Sequence, residues 1–308
     1  MEIFLPIAHM DVNIFLILSF GLIVGLLSGL VGVGGGFLIT PLLIFTGVPP
    51  LVAVATGSAQ IVGTSAAGSY AHWRLGNVDF KMAILLLLGS WTGGGLGVFL
   101  ARALQKSGQF GNIVTFLYVV LLGIIGVSML IESINAIRSR TAGSSGNPDK
   151  NKTKSTSWVE RLPMQLNFPV SGLQLPVLIP VTLGVGVGVL TSLMGVGGGF
   201  IMVPIMIYML KMPTRVVVGT SLFQLLFTTA VVASMQAGIN HAVDPILALT
   251  LILGSVLGTH WGTKVGVRLP AEQLRLVLAL VVVGVAVKML WGLLVTPDEL
   301  YSLSVLVQ

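Results

Sequence analysis

The sequence lacks cysteine and carries few charged residues. Without cysteine there are no disulfides, no thiolate metal ligands and no thiol relay to a substrate. Asp, Glu, Lys and Arg make up 8% of the 308 residues, whereas a soluble domain has about 25%. Hydrophobic residues make up 55%, and the mean hydropathy is +1.00. This composition predicts a polytopic membrane protein whose surroundings are the lipid bilayer.

Several kinds of chemistry have no residues to support them. No Asp or Glu lies in the middle of an apolar segment, and no nucleophile stands beside a base, so we expect no enzyme. No His, Asp or Glu cluster has metal-ligand spacing, and we expect neither metal nor cofactor. The net charge of +6 comes from basic residues in short loops and one central stretch, which is typical of orientation signals rather than of nucleic-acid binding.

One stretch occurs twice. Gly32-Val33-Gly34-Gly35-Gly36-Phe37, followed by Pro41, returns 163 residues later as Gly195-Val196-Gly197-Gly198-Gly199-Phe200, followed by Pro204. Without gaps, Gly25–Ile44 and Gly188–Ile207 share 11 of 20 residues. The protein therefore consists of two related halves.

The glycine runs lie inside apolar sequence and are expected to break helices, because each glycine costs a helix about 1 kcal/mol relative to alanine. A break at membrane depth must face protein or a wet cavity. A helix that begins after Gly36 or Gly199 points free N–H groups back at the break, which favours an anion. Paired breaks in two halves indicate a transporter's binding site. The alternative is that the glycines serve close helix packing.

Ten apolar segments follow from the hydropathy pattern. The two after the glycine runs have about a dozen residues, against the ~20 of a full span, so half-helices, re-entrant loops and tilted spans remain open. The segments cover 12–31, 37–48, 52–72, 82–101 and 111–132 in the first half, and 176–194, 200–210, 214–236, 245–265 and 274–295 in the second.

Lysine and arginine positions favour ten crossing segments with an outside N-terminus. That order puts 13 of the 16 basic residues on the inside, whereas eight spans with re-entrant segments would put 8 inside and 7 outside. Five spans in each half place the halves in opposite orientations, as an inverted repeat of all-α architecture. Both termini are then outside.

The chain divides into three parts on this basis. Residues 1–137 form the first transmembrane repeat, 138–175 a basic cytoplasmic linker, and 176–308 the second repeat. The linker is rich in Ser, Gly, Asn and Lys. Its basic cluster either acts as an orientation signal on a solvated tether or contacts anionic lipid heads.

Polar residues open the third segment of each half. Hydroxyls and amides there could donate to an oxyanion, or could hydrogen-bond between helices. Ser58 and Ser221 keep the 163-residue spacing, which leaves Gln60 and Gln224 one residue out of phase. The polar character continues about two turns deeper with Thr64, Ser65, Thr228 and Thr229.

Lys288 lies about two-thirds of the way along the last predicted span. It either extends its ammonium group to the outer surface or serves as a counter-charge to the substrate.

At these residues the sequence resembles the sulfite exporter TauE/SafE family of membrane transport proteins. The resemblance implies movement of small anionic sulfur compounds, such as sulfite or organosulfonates, across a bacterial inner membrane. It covers most of the chain outside the linker and termini, and the long linker is atypical. The stretches that carry it are Gly25–Phe37 with Pro41, Thr56–Ser58, Gly76–Asp79, Gly89–Gly97, Gly195–Pro204, Gly219–Ser221 and Gly254–Gly262.

We therefore expect a secondary transporter of a small anion that works by alternating access. An anion channel and a non-transporting membrane scaffold or assembly factor are the rival hypotheses. The coupling ion, Na⁺ or H⁺, and a homodimer stay open. The residues expected to hold the anion are Gly34, Gly35, Gly36, Ser58, Gln60, Gly197, Gly198, Gly199, Thr220, Ser221 and Gln224.

Overall fold

The computed structural model describes residues 2–31, 34–141, 165–168, 170–210, 212–266 and 271–294, and the statements below concern these residues. Each half begins with a β-hairpin and continues with five helices. The first half contains β1 (Glu2–Leu5), β2 (Met10–Asn13), α1 (Ile14–Val31), α2 (Gly36–Phe45), α3 (Pro50–Arg74), α4 (Phe80–Lys106) and α5 (Phe110–Thr141). The second contains β3 (Gln165–Phe168), β4 (Leu173–Pro176), α6 (Leu178–Met194), α7 (Gly199–Pro204) with a π-helical turn (Ile205–Met209), α8 (Thr214–Asn240), α9 (Pro245–Gly266) and α10 (Ala271–Leu294).

Five of these helices are long and apolar enough to cross a membrane. They are Pro50–Arg74, Phe80–Lys106, Phe110–Ile131, Val216–Asn240 and Pro245–Gly262, with mean hydropathies between 1.2 and 2.6. Large apolar side chains such as Leu96, Ile124 and Leu253 are more than 60% exposed on outward faces, as lipid contact requires. The prediction of an all-α polytopic membrane protein is confirmed.

Glycines bring two helix pairs into close contact. A methyl group on Gly21 would lie 2.7 Å from the carbonyl oxygen of Leu251, and one on Gly254 would lie 2.5 Å from that of Leu18, so α1 and α9 touch through their backbones. Gly89 and Gly184 make the same kind of contact between α4 and α6. Small residues permit such close approach in membranes. The remaining major pairs are α5 with α10 and α3 with α8.

The two broken helices double back. A methyl group on Gly35 would lie 2.9 Å from Val24 Cγ1, so the chain after α1 returns alongside it. The chain after α2 reaches the first hairpin, since a methyl group on Gly47 would lie 3.8 Å from Met10 Cε. In the second half, Met206 of the π-helical turn shares a buried cluster with Phe168 of β3. The two short segments are therefore half-helices. The first ends on the side of the molecule where α1 begins, and the second ends on the side where α6 begins. The ten-segment order predicts the same sides.

Each hairpin is held by an aspartate of the other half. In the β1–β2 turn, the N–H of Ile7 donates to Asp244 Oδ2 at 3.0 Å. In the β3–β4 turn, the N–H and the hydroxyl of Ser171 donate to Asp79 Oδ2 at 3.1 and 2.6 Å. Asp79 and Asp244 also accept from N–H groups in the first turns of α4 and α9. Such caps satisfy N–H groups that a helix start leaves free.

The two hairpins lie at opposite ends of α3. Thr56, in the second turn of α3, accepts from the N–H of Asp244 at 3.1 Å, whereas Asp79 follows the other end of that helix. A helix of this length extends about 37 Å at about 1.5 Å per residue. This placement agrees with two halves in opposite orientation.

The predicted linker, 138–175, overlaps ordered structure at both ends. Helix α5 continues to Thr141, and Gln165–Pro176 forms the second hairpin, with Phe168 paired to Leu173. Phe168 and Leu175 are buried, and this burial is why the end of the polar stretch packs instead of forming a tether. Residues 142–164 and 169 lie outside the described residues.

Candidate functional site

Both glycine runs form a left-handed turn directly before a helix. Gly34 and Gly35 have φ values of +85° and +76°, and Gly197 and Gly198 have +72° and +73°. L-residues with side chains rarely adopt this conformation, and glycine does so freely. Gly35 and Gly198 are the N-caps of α2 and α7, and neither helix start has a side-chain cap. The first N–H groups of both helices therefore point toward the turn without a capping side chain.

The two turns meet in the centre of the protein. The rings of Phe37 and Phe200, which directly follow the runs, stack with their centroids 4.5 Å apart. A methyl group on Gly36 would lie 2.7 Å from the carbonyl oxygen of Gly195. The structure thus brings together the two helix starts that the sequence predicted as one site.

Ile61 of α3 and Leu225 of α8 contact both turns. A methyl group on Gly34 would lie 3.1 Å from Leu225 Cδ1 and 3.6 Å from Ile61 Cγ2. One on Gly197 would lie 2.9 Å from Ile61 Cδ1 and 3.3 Å from Leu225 Cδ2. Both turns therefore contact the same apolar pair, which gives the centre an approximate two-fold arrangement.

Thr64 and Ser65 of α3 lie against the first turn. The hydroxyl of Thr64 donates to the carbonyl oxygen of Gly34 at 3.1 Å. Gln60 lies one turn away on the same side of the helix. It is fully buried, and within the described chain neither of its amide atoms has a hydrogen-bond partner. The Ser65 hydroxyl, also buried without a described partner, would lie 3.7 Å from a methyl group on Gly34.

Gln224 occupies the corresponding place on α8 but is bonded differently. Its Nε2 donates to Ser90 Oγ of α4 at 2.7 Å and to Thr228 Oγ1 at 3.2 Å. The Ser90 hydroxyl in turn donates to the carbonyl oxygen of Leu86 at 2.7 Å. Gln224 Oε1 is buried and accepts from no group among the residues described.

The other three predicted side chains, those of Ser58, Thr220 and Ser221, hydrogen-bond to the protein itself. Ser58 and Ser221 donate to carbonyl oxygens of their own helices, Val54 at 3.0 Å and Val218 at 3.1 Å. Thr220 accepts from the N–H of Asp79 at 3.0 Å, in the loop between α3 and α4. These contacts agree with the alternative hypothesis, in which the polar side chains hydrogen-bond within the protein and do not bind a ligand.

The 163-residue spacing of the glycine runs does not continue into α3 and α8. Thr56 and Thr220 make equivalent bonds, to Asp244 and Asp79, and they are 164 residues apart. The same spacing relates Gln60 to Gln224, which are therefore in phase. The extra residue of the second half falls between Pro204 and Pro213, where the chain forms the π-helical turn Ile205–Met209. A π-helical turn accommodates one more residue than an α-helical turn.

Sequence reasoning missed Ser90, Ile61 and Leu225. A signal existed for Ser90, because Gly89-Ser90 recurs as Gly254-Ser255 in the other half. Ile61 and Leu225 are apolar residues in apolar helices and carry no such signal. The matched Asp79 and Asp244 were visible as a repeat, but their hairpin partners were not.

The centre carries no compensating charge from buried side chains. Among the described residues, the buried charged side chains are Asp79 and Asp244, and both are occupied as caps. Lys288 lies elsewhere, with its Nζ 4.4 Å from the centroid of the Phe45 ring. This contact gives the ammonium group a cation–π partner. The site is therefore neutral apart from the backbone dipoles.

Comparison with known proteins identifies relatives along nearly the whole chain. The family model described as Sulfite exporter TauE/SafE matches residues 17–289. Probable membrane transporter protein YunE of Bacillus subtilis (strain 168) is 25% identical over 279 residues, covering 88% of this chain and 95% of that protein. Probable membrane transporter protein YjnA of the same organism is 28% identical over 277 residues, covering 89% and 98%. A probable membrane transporter protein of Xylella fastidiosa (strain 9a5c) is 27% identical over 275 residues, covering 88% and 92%. No solved structure matches.

Proposed function

The chain belongs to the sulfite exporter TauE/SafE family, and we propose that it is a secondary transporter of a small anion, a sulfur oxyanion or organosulfonate such as sulfite. The observation that carries this proposal is the meeting of two helix starts in a buried centre without a side-chain cation. Helix N-termini attract anions through free N–H groups and the helix dipole. The family name and the names of the relatives, which are membrane transporters and not enzymes, support the same class.

In this proposal the anion lies against the two glycine turns. The N–H groups after Gly35 and Gly198 donate to its oxygens, and glycine is needed there because φ is positive and an added methyl group would meet the preceding helix. Gln60 and Ser65 add neutral donors from α3, whereas the unused amide atom of Gln224 in α8 is the acceptor Oε1. We leave Ser58, Thr220 and Ser221 out of the contact set, because their hydroxyls are already engaged within the fold.

Transport proceeds by alternating access between two inverted halves, residues 1–137 and 176–308, joined by the basic linker. The centre is closed in this structure, since Gln60 and Gln224 are 0% exposed. Substrate can enter only when helices separate on one side. Closely packed glycine contacts join α1 with α9 and α4 with α6, one helix from each half in each pair, so such a movement separates these two pairs from each other. The proposed location is a bacterial inner membrane, with the linker in the cytoplasm and both termini outside.

Uptake of radiolabelled sulfite into proteoliposomes tests the proposal. We expect saturable uptake that an organosulfonate inhibits, and faster uptake when unlabelled sulfite is loaded inside, because a carrier exchanges substrate. Na⁺ and pH gradients, imposed separately, identify the coupling ion. Flux that rises linearly with concentration and shows no exchange would indicate a channel. Folded protein that moves none of these anions would leave a scaffold as the better hypothesis.

A further inference from the structure

We infer that the anion bound at the centre is a monoanion that carries its own hydrogen-bond donor, such as hydrogen sulfite, and is neither a dianion nor an anion that only accepts. This inference rests on the proposed function and specifies the form of the substrate. It depends on two glutamine amides whose hydrogen-bonding capacity the protein leaves unused.

Gln60 requires both a donor and an acceptor from its ligand. Its Nε2 and Oε1 are both buried without a partner among the residues described. Exchanging the two atoms by rotating the amide changes nothing, because one N–H₂ group and one carbonyl oxygen remain unpaired either way. Buried polar groups are normally hydrogen-bonded. A fully deprotonated oxyanion could satisfy the N–H₂ group, but it has no hydrogen to offer the carbonyl oxygen.

Gln224 offers a second unused acceptor, and its orientation is fixed by proton counting. Ser90 gives its hydroxyl hydrogen to the carbonyl oxygen of Leu86, so it can only accept from Gln224. The atom that faces Ser90 is therefore the N–H₂ group. Gln224 Oε1 then remains as a buried acceptor, and it too needs a donor from outside the described side chains.

Charge leads to the same class of ligand. The buried charged side chains described are Asp79 and Asp244, which add no positive charge to the centre. The start of α2, a ten-residue helix, supplies about half of a positive charge through its dipole. The Born cost of burial rises with the square of the charge, so a dianion costs about four times as much as a monoanion. A site of this kind favours the singly charged, protonated form.

The pH dependence of wild-type transport provides the first test. Hydrogen sulfite loses its proton near neutral pH, so uptake is measured at pH values on both sides of that ionisation. We expect the KM for total sulfite to rise about tenfold for each pH unit above it, because only the protonated fraction binds. Inhibition by methanesulfonate, a monoanion at every pH used, corrects for ionisation of the protein. A KM for total sulfite that stays constant or falls with rising pH would overturn the inference while leaving the transporter proposal intact.

Competition between two monoanions provides the second test. Methanesulfonate carries the same charge as hydrogen sulfite but has no hydrogen-bond donor, whereas the S–O–H form of hydrogen sulfite has one. We expect wild-type protein to prefer hydrogen sulfite by about tenfold or more, since methanesulfonate leaves the amide oxygen of Gln60 unpaired. In Gln60→Met the preference should fall to within about threefold, because the apolar side chain has no acceptor to satisfy. Equal inhibition of the wild type by both anions would contradict the inference.

Gln236 supplies the matched control for Gln60. It is a fully buried glutamine of α8, but its Nε2 donates to the carbonyl oxygen of Ser192 at 3.1 Å and its Oε1 accepts from Asn240. We expect Gln236→Met to lower the thermal stability and to leave the preference between the two anions unchanged. A loss of preference in Gln236→Met equal to that in Gln60→Met would assign the effect to general loosening and overturn the inference. Absence of uptake for every anion would instead reject the proposed function.

Discussion

Gln60 and Gln224 occupy equivalent positions in α3 and α8, yet their surroundings differ. Gln224 donates to Ser90 of α4, while Ser255, the counterpart of Ser90 in α9, donates to the carbonyl oxygen of Ile252 and leaves Gln60 without a described partner. Both halves contain the same glutamine and the same serine, and of the two pairs that span the halves, Gln224 with Ser90 is joined and Gln60 with Ser255 is not. Repetition of sequence therefore does not make the two sides of the centre chemically equal. The free amide marks the first half as the side with unused binding capacity.

The glycine turns also differ between the halves, and the largest effect is expected here. A methyl group on Gly198 would overlap Val187 Cγ1, whereas one on Gly35 would lie 2.9 Å from Val24 Cγ1. Both positions have positive φ, which costs a residue with a side chain about 1–2 kcal/mol. We expect Gly35→Ala to lose uptake and about 2 kcal/mol of stability, and Gly198→Ala to lose more stability, as measured by thermal unfolding in detergent.

Gly284→Ala is the control for these variants, because nothing lies within 4 Å of the added methyl group and α10 is regular there. Its stability should stay the same or increase slightly. Equal stability of Gly35→Ala and wild type, with uptake retained, would show that neither the turn nor its N–H groups matter.

The two aspartates allow the ends of the molecule to be compared. Asp244→Ala removes the acceptor of Ile7, and Asp79→Ala removes that of Ser171. Each leaves buried N–H groups unpaired, at a cost of about 1–3 kcal/mol. Hydrogen exchange should increase in the hairpin of residues 2–13 for Asp244→Ala, and in Gln165–Pro176 for Asp79→Ala. Faster exchange in both hairpins from either variant would mean that the two ends are not independent.

The threonines that support these aspartates should show the smallest effect. Thr56→Val and Thr220→Val each remove one acceptor, for the N–H groups of Asp244 and Asp79. We expect each to cost about 1 kcal/mol, a typical value for one hydrogen bond, and the two losses to be similar. A loss of uptake in Thr220→Val with unchanged stability would return Thr220 to the substrate site.

Much of the architecture could be predicted from the sequence because it depends on local signals. Helix positions follow from apolar runs, and the two breaks follow from glycine, whose effect is confined to a few residues. The hairpins could not be predicted in this way. Their strands have four residues each, and what holds them is a carboxylate far away in the chain, Asp244 for Ile7 and Asp79 for Ser171.

The site was predictable to a similar degree. The glycines and glutamines are candidates because the repeat displays them, and their role in binding stays a prediction, whereas the contact of Ser90 with Gln224 depends on how α4 packs against α8. Ser58 and Ser221 keep the 163-residue spacing but are not equivalent in the structure. One inserted residue is absorbed upstream in the π-helical turn, which a gapless alignment cannot show.

Each hairpin is bound by an aspartate of the other half, so the two contacts become available at different times during synthesis. When Ser171 emerges, its acceptor Asp79 was made 92 residues earlier, so this hairpin can dock at once. Ile7 must wait for Asp244, which follows 237 residues later. The contact of Asp79 with the second hairpin can therefore form midway through translation. The contact of Asp244 with the first hairpin can form only when most of the chain has been made. A chain truncated before residue 244 would have its second hairpin anchored and its first hairpin without an anchor.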